Sequence, residues 1–313
     1  MKKVLSIDLG GTKIAVGVVD SSGKVISRKM APTPRGDAEQ VVSCIAELSA
    51  EVLSSEYTEG NIGLALPGIV DPENGTLIRS PSSGWVDVPF TAMIQEKLGM
   101  PVVVENDVRA CAWAEYHFGA GTHLRSFFWM TISTGIGGAF LSEGRFAGGR
   151  MAGEIGHLVV QPEGFLCGCG NKGCLEAEAA GPAWRRKALR LLEQEEFQGK
   201  SVLSTIPPEE IDARRIAEGA RKGDALCQTV VGDVSEMLAR GLGAIFNILD
   251  PDAVFLGGGV AKSFDLIEPL IHPALQNLVL AAKDRTLRIL PSSPGYDAAL
   301  IGAASLVLFP YKS

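Results

Sequence analysis

The chain states one local pattern twice, and that repetition limits its fold more than any other feature. Residues 4–9 form an apolar run that stops at Gly10-Gly11-Thr12-Lys13, and a second run, 14–19, follows at once. Residues 127–132 form another apolar run that stops at Ser133-Thr134-Gly135-Ile136-Gly137-Gly138, and residues 139–141 run out again. Each copy reads as strand, tight turn rich in Gly and Thr, strand. A chain organised around two such hairpins is expected to form two lobes facing each other across a cleft, where ligands prefer to bind. Its 313 residues allow this, because a domain typically holds roughly 150.

The segments between the hairpins predict an α/β class. Residues 25–30 read as the third strand of a meander. Residues 38–53 place Val41, Val42, Ile45, Leu48, Val52 and Leu53 at helical spacing. Residues 62–66 read as a strand ended by Pro67-Gly68, 90–98 as a helix, and 102–104 as a buried strand. A helix over 108–118 follows Glu105-Asn106-Asp107. Further helices are expected at 183–196, 209–222, 225–247 and 298–308. Strands are expected at 253–256 and 287–290. This alternation implies a mixed sheet with helices packed on it.

Charge and hydropathy exclude some classes. Lys and Arg number 29 against 36 Asp and Glu, a net charge of −7, so a broad nucleic-acid surface is not expected. No stretch approaches the ~18 uncharged apolar residues of a spanning helix. The first apolar run meets Asp8 before a signal-peptide core can form. The expectation is a soluble, cytoplasmic protein without a membrane partner, in a compartment that keeps thiols reduced.

Four groups of residues carry chemistry. In the first turn, Gly10 and Gly11 let the backbone approach a phosphate, with Thr12 and Lys13 as further donors. Asp8 could hold Mg²⁺ through water. Thr134, Gly135 and Gly137 repeat the arrangement, and two opposed donor turns could clamp a polyphosphate. Each could also be a plain hairpin turn. Gly257-Gly258-Gly259 follows a buried strand, either to admit a flat nucleoside or as an ordinary strand-to-helix turn.

Asn106-Asp107 closes a strand where α/β sheets usually carry a site. A carboxylate there can take a proton from an attacking hydroxyl, although both residues also suit a helix cap. His157, Cys167, Cys169 and Cys174 form a Cys₃His set matching tetrahedral structural Zn²⁺. Glu154 and Glu176 flank it and could accept sugar hydroxyls, or could be solvated surface charge. Cys44, Cys111 and Cys227 fall in helical patterns and read as core.

Together these stretches resemble the ROK family of repressors, open reading frames and sugar kinases, over essentially the whole chain. The resemblance rests on three stretches: Asp8 to Lys13, Glu105-Asn106-Asp107, and Gly153 to His157 with Pro162 to Glu176. The last follows the family signature Gly-Glu-x-Gly-His, then Pro-x-Gly-x-x-Cys-x-Cys-Gly-x-x-Gly-Cys-x-Glu.

The resemblance implies a two-lobed, actin-like and hexokinase-like ATPase fold of ribonuclease H-like type, with a hinged inter-lobe cleft. The lobes would be residues 1–118 with 296–313, and residues 119–295 with the zinc loop. It implies that Asp107 is the catalytic base. Gly68, Asn106, Asp107, Glu154, His157 and Glu176 would be substrate contacts. His157, Cys167, Cys169 and Cys174 would be zinc ligands. Asp8, Gly10, Gly11, Thr12, Lys13, Thr134, Gly135, Gly137, Gly257, Gly258 and Gly259 would be ATP contacts.

The implied activity is ATP- and Mg²⁺-dependent phosphorylation of a hexose 6-hydroxyl, glucose first, in a homodimer or homotetramer. N-acetylmannosamine, fructose, allose or mannose are the alternative sugars, and a non-catalytic sugar sensor is the alternative class. With Asp8 so early in the sequence, the DNA-binding segment of the family's repressors is not expected. The sequence departs from the family pattern at Ser82, where an Asn often precedes the Trp, and at Ser133, Ala139 and Ala180.

Overall fold

The computed structural model describes residues 2–53, 60–80 and 83–311. Ser82 lies outside the described residues. The chain forms two compact units. One comprises Met1–Arg125, Ala139–Ala152 and Ser292–Ser313, the other Ser126–Gly138 and Gly153–Pro291.

The first unit begins with β1 (Lys3–Leu9), β2 (Lys13–Asp20), β3 (Val25–Pro32), α1 (Ala38–Val52) and β4 (Ile62–Leu66). It continues with β5 (Ile69–Asp71), β6 (Thr76–Ser80), β7 (Trp85–Val88), α2 (Phe90–Leu98), β8 (Val102–Asn106) and α3 (Asp107–Phe118). Its main sheet has the order β3-β2-β1-β4-β8. β1, β2 and β3 are antiparallel, and β4 and β8 join parallel.

Both faces of the inner strands β1, β2 and β4 are covered, which is why they read as near-continuous apolar runs rather than alternating ones. Leu5, Ile7, Leu9, Ile14, Val16 and Val18 pack with Val41, Ile45 and Ile94 of α1 and α2. On the other face Val4, Ala15 and Val19 pack against Leu300, Ala304 and Val307 of the last helix.

The second five-stranded sheet has the order β11-β10-β9-β12-β13. Its strands are β9 (Ser126–Ile132), β10 (Ile136–Ser142), β11 (Arg145–Phe146), β12 (Ala253–Gly257) and β13 (Ile289–Pro291). β12 pairs parallel with both β9 and β13. The helices are α4 (Leu175–Ala179), α5 (Gly181–Leu192), α6 (Ala213–Arg221), α7 (Ala225–Leu249), α8 (Phe264–Leu278) and α9 (Ala298–Leu308). α7 packs against α4, α5, α6 and α8. No helix among the described residues is long and apolar enough to cross a membrane.

Several elements differ from expectation. The helix expected at 209–222 is a 3₁₀ turn, Pro208–Glu210, followed by α6. Asp212 starts that helix by accepting the Arg215 amide. α5 runs earlier than expected, with Pro182 in its first turn. α8 was not foreseen, because Pro269 and Pro273 stand inside it and proline usually ends a helix. The short sheet β5-β6-β7 was missed too, its strands being brief and broken by turn residues.

α9 lies so close to its neighbours that two glycines are obligatory. A Cβ at Gly63 would stand 1.9 Å from the Ala303 carbonyl oxygen, and one at Gly302 2.1 Å from that of Ala110. Gly63→Ala should therefore cost ~3 kcal/mol, at the upper end for overpacking. Gly60→Ala, where a Cβ meets nothing within 4 Å, should leave the midpoint of urea unfolding nearly unchanged. Equal midpoints for the two variants would contradict this packing.

Candidate active site and metal centre

The C-terminal end of β8 carries the acid singled out in the sequence. Asn106 is the N-cap of α3, and its Oδ1 accepts the amides of Val108 and Arg109 at 3.0 and 3.1 Å. Its Nδ2 donates to the Gly68 carbonyl at 2.9 Å and to Asp107 Oδ1 at 3.0 Å. All four hydrogen-bonding positions of this amide are thereby used inside the protein. The helix cap that the sequence offered as one reading of this pair is present here.

Gly68 reaches Asn106 because its φ is +98° and a Cβ would meet the Arg79 carbonyl at 2.4 Å. Asp107 Oδ1 also accepts the Val108 amide at 2.9 Å. Burial, followed by the negative charge of Asp8, pushes the Asp107 carboxyl up to about 7. A carboxylate poised there can exchange a proton near neutral pH.

Asp8 is near the end of β1. Register aligns it with Ala65 of β4, and Ala65 with Glu105 of β8, so Asp8 and Asp107 lie toward the same C-terminal end of the parallel strands. Burial raises the Asp8 carboxyl to about 6 against the lowering effect of Lys13, and Asp297 raises it further. The turn that follows is held by Gly10 N–H to the Lys13 carbonyl at 2.9 Å. The Thr33 hydroxyl fixes the Gly10 carbonyl at 2.7 Å. Gly11 and Thr12 are exposed. Lys13 Nζ donates to the Tyr296 hydroxyl at 2.7 Å and lies 4.1 Å from that ring's centroid, a contact with no local sequence signal.

In the second unit, the Ser133 amide bonds to the Gly135 carbonyl at 2.9 Å to close the other turn. Glu176 Oε2 accepts the Ile136 amide at 3.0 Å, and a Cβ at Gly135 would stand 2.5 Å from that oxygen. Glu176 therefore touches the turn that carries Thr134, which is exposed. Gly137 follows in β10. Gly257 is pressed against the Trp129 ring, and Gly258 has φ +88° with no space for a Cβ beside the Ile132 carbonyl. Gly259 is open. Ala139 is buried within β10. Ala180 is the N-cap of α5 and offers no capping bond, which a Ser there would.

His157, Cys167, Cys169 and Cys174 come together as the spacing implied, with ligand atoms all within 4.8 Å of one another. Cys169 and Cys174 sulfurs lie 3.6 Å apart, and Cys167 Sγ lies 3.7 Å from His157 Nδ1. Tetrahedral zinc with Zn–S of about 2.3 Å and Zn–N of about 2.0 Å spaces its ligands ~3.5–3.8 Å apart, so the donor set fits Zn²⁺.

The loop closes through isolated bridges Val159–Cys174 and Leu166–Lys172. Gly173, at φ +68°, leaves no room for a Cβ beside the Gln161 carbonyl. The Asn171 amide is the main cause holding the Cys169 thiol down to about 7, which favours the ligating thiolate. With Nδ1 turned to the sulfurs, His157 Nε2 faces Glu154 Oε2 at 3.9 Å. Glu154 is half exposed, at 53%. Cys111 and Cys227 are buried and Cys44 packs at the edge of the core, the structural role expected of them.

The ROK family model matches residues 4–309. The chain is 31% identical to the glucokinase of Streptomyces coelicolor, over 99% of each chain. It is 32% identical to an N-acetylmannosamine kinase of Yersinia pestis, over 87% of this chain and 88% of that one. A crystal structure of a ROK family glucokinase from Streptomyces griseus, in complex with glucose and AMPPNP, superposes with a TM-score of 0.86. That structure shares 32% identity and is matched over 97% of this chain and 99% of its own. The architecture is that of the actin-like and hexokinase-like α/β ATPases. The chain belongs to the ROK family.

Proposed function

We propose that this protein is an ATP-dependent hexose kinase acting on the 6-hydroxyl, with glucose as its preferred sugar. The observation that carries this reading is the Asp107 carboxylate. Its Oδ1 is fixed by Asn106 and Val108, and burial raises its pKa to about 7. Phosphoryl transfer asks mainly for positioning and charge neutralisation. Asp107 Oδ2 accepts the proton of the attacking hydroxyl.

Glu154, His157 Nε2 and the second oxygen of Glu176 bind sugar hydroxyls. Asn106 serves first by orienting Asp107, since its amide is saturated. The Gly10–Lys13 and Thr134–Gly137 turns and Gly257–Gly259 contact ATP. Mg²⁺, held by Asp8 through water, would supply charge neutralisation on the triphosphate. Zn²⁺, held by His157, Cys167, Cys169 and Cys174, would supply rigidity to the loop carrying Glu154 and Glu176.

Glucose is favoured by the glucokinase relative matching 99% of the chain, against 87% for the N-acetylmannosamine kinase. A coupled ADP-release assay across glucose, N-acetylmannosamine, N-acetylglucosamine, mannose, fructose and allose tests this. Glucose should give the highest kcat/KM. A higher value for N-acetylmannosamine would transfer the assignment to that sugar. No ADP release with any of them would make the chain a sensor rather than an enzyme.

A further inference from the structure

Behind the catalytic aspartate stands a buried acid that the reaction itself does not use. Glu105 is 2% exposed, and a carboxylate so placed persists only when its oxygens are matched by donors. Oε1 accepts the Asn106 backbone amide at 2.7 Å. Oε2 accepts the Tyr311 hydroxyl and lies 3.0 Å from Arg109 Nε in an ion pair.

Arg109 sits in the first turn of α3, so this pair ties the last turn of strand to the first turn of helix. Asn106 and Asp107 are the residues enclosed between its ends. The network is braced by aromatics from distant parts of the chain. The Arg109 guanidinium lies 4.1 Å from the Phe146 ring centroid. The Tyr311 ring lies 4.8 Å from that of Trp113 and 5.1 Å from that of Phe146. Trp113 in turn donates to the Phe309 carbonyl at 3.0 Å. Burial and the Glu105 charge push the Tyr311 hydroxyl well above the usual tyrosine range, so it remains a donor.

We propose that Tyr311 and Arg109 are positioning residues that act through Glu105 to fix the Asn106 backbone and thereby the Asp107 carboxylate. The path is continuous. Glu105 holds the Asn106 amide, and the Asn106 side chain holds both Asp107 Oδ1 and the Gly68 carbonyl. Loss of one donor to Glu105 leaves a buried charge undermatched, and the strand end must shift to satisfy it. The inference rests on Asp107 being the base.

The test is Tyr311→Phe in the full chain, which keeps the ring and removes only the hydroxyl. Turnover of glucose should fall roughly tenfold, since small misplacements of a reacting group cost up to ~10²-fold, with the sugar KM within about twofold. The acidic limb of kcat/KM should also move to higher pH. Weaker bonds from Asn106 and Val108, which hold the Asp107 pKa down, would raise it.

A variant that is merely less stable would lose folded fraction but keep the limb in place. Arg109→Met, which removes the charge 3.0 Å from Glu105 Oε2, should show the same pair of changes. An unchanged limb and kcat per folded molecule in both variants would overturn the proposal. An active Asp107→Ala would instead overturn the assignment of the base, whatever the other two variants show.

Discussion

Asp107→Ala is expected to lower kcat by ~10²–10⁴-fold, the usual worth of general-base catalysis, while sugar binding measured by calorimetry survives. The sugar contacts proposed at Glu154, His157 and Glu176 are untouched by the change. Near-normal turnover would remove Asp107 from the mechanism. A second signature follows from electrostatics. The Asp107 carboxyl is raised from 3.8 to about 7, so between those values the folded chain binds more protons than the unfolded one. Stability therefore falls as pH rises through that window. Asp107→Asn, which removes the buried charge, should raise Tm at pH 8 and much less at pH 5. A residue retained for stability would behave in the opposite way, so a dead yet more stable variant identifies a group kept for its chemistry. The wild-type kcat/KM should rise with pH through about 7, where Asp107 becomes able to accept a proton.

Loss of the metal centre is expected to be the most damaging change to the second unit. Purified, unchelated protein should contain about one zinc per chain by elemental analysis. Cys174→Ser should contain almost none, unfold at a clearly lower temperature, and lose sugar phosphorylation. Cys174 is fully buried, and its neighbour Leu175 packs on Gly241 of α7. Turns, two bridges, the Phe165 cluster and the Arg240 and Glu178 hydrogen bonds shape the loop around the four donors, and in such sites the metal contributes directly to folding. Cys111→Ser, in the core of the other unit, should keep the zinc. Less than half an equivalent of zinc in the parent protein would refute the assignment.

Much of the candidate site was legible because its residues lie in short local motifs. Glu105-Asn106-Asp107, the two Gly–Thr turns and the Cys₃His loop each announce themselves within a few residues. The register then brings Asp8 and Asp107 to the same end of the sheet, as parallel strands ending together require. The remainder was not legible because its partners are far apart in sequence. Tyr311 meets Glu105 across 206 positions, and Tyr296 meets Lys13 across 283. No window of periodicity contains such a pair. Glu105 stood inside a recognised motif, yet its role depends on a tyrosine near the end of the chain. Helix α8 was hidden for a different reason. Its Ile267, Ile271 and Leu275 face the core at helical spacing, and that burial outweighs the two prolines that locally argue against a helix.

The placement of α9 also constrains how the protein is made. One face of the β1–β2–β4 sheet stays bare until Ala298–Leu308 can cover Val4, Ala15 and Val19. A ribosome delivers those strands well before their cover. Until α9 emerges the sheet presents apolar surface to its surroundings, a period in which chains are prone to aggregate. The early strands thus wait for a helix whose Leu300 carbonyl meets the Ser6 hydroxyl across 294 positions.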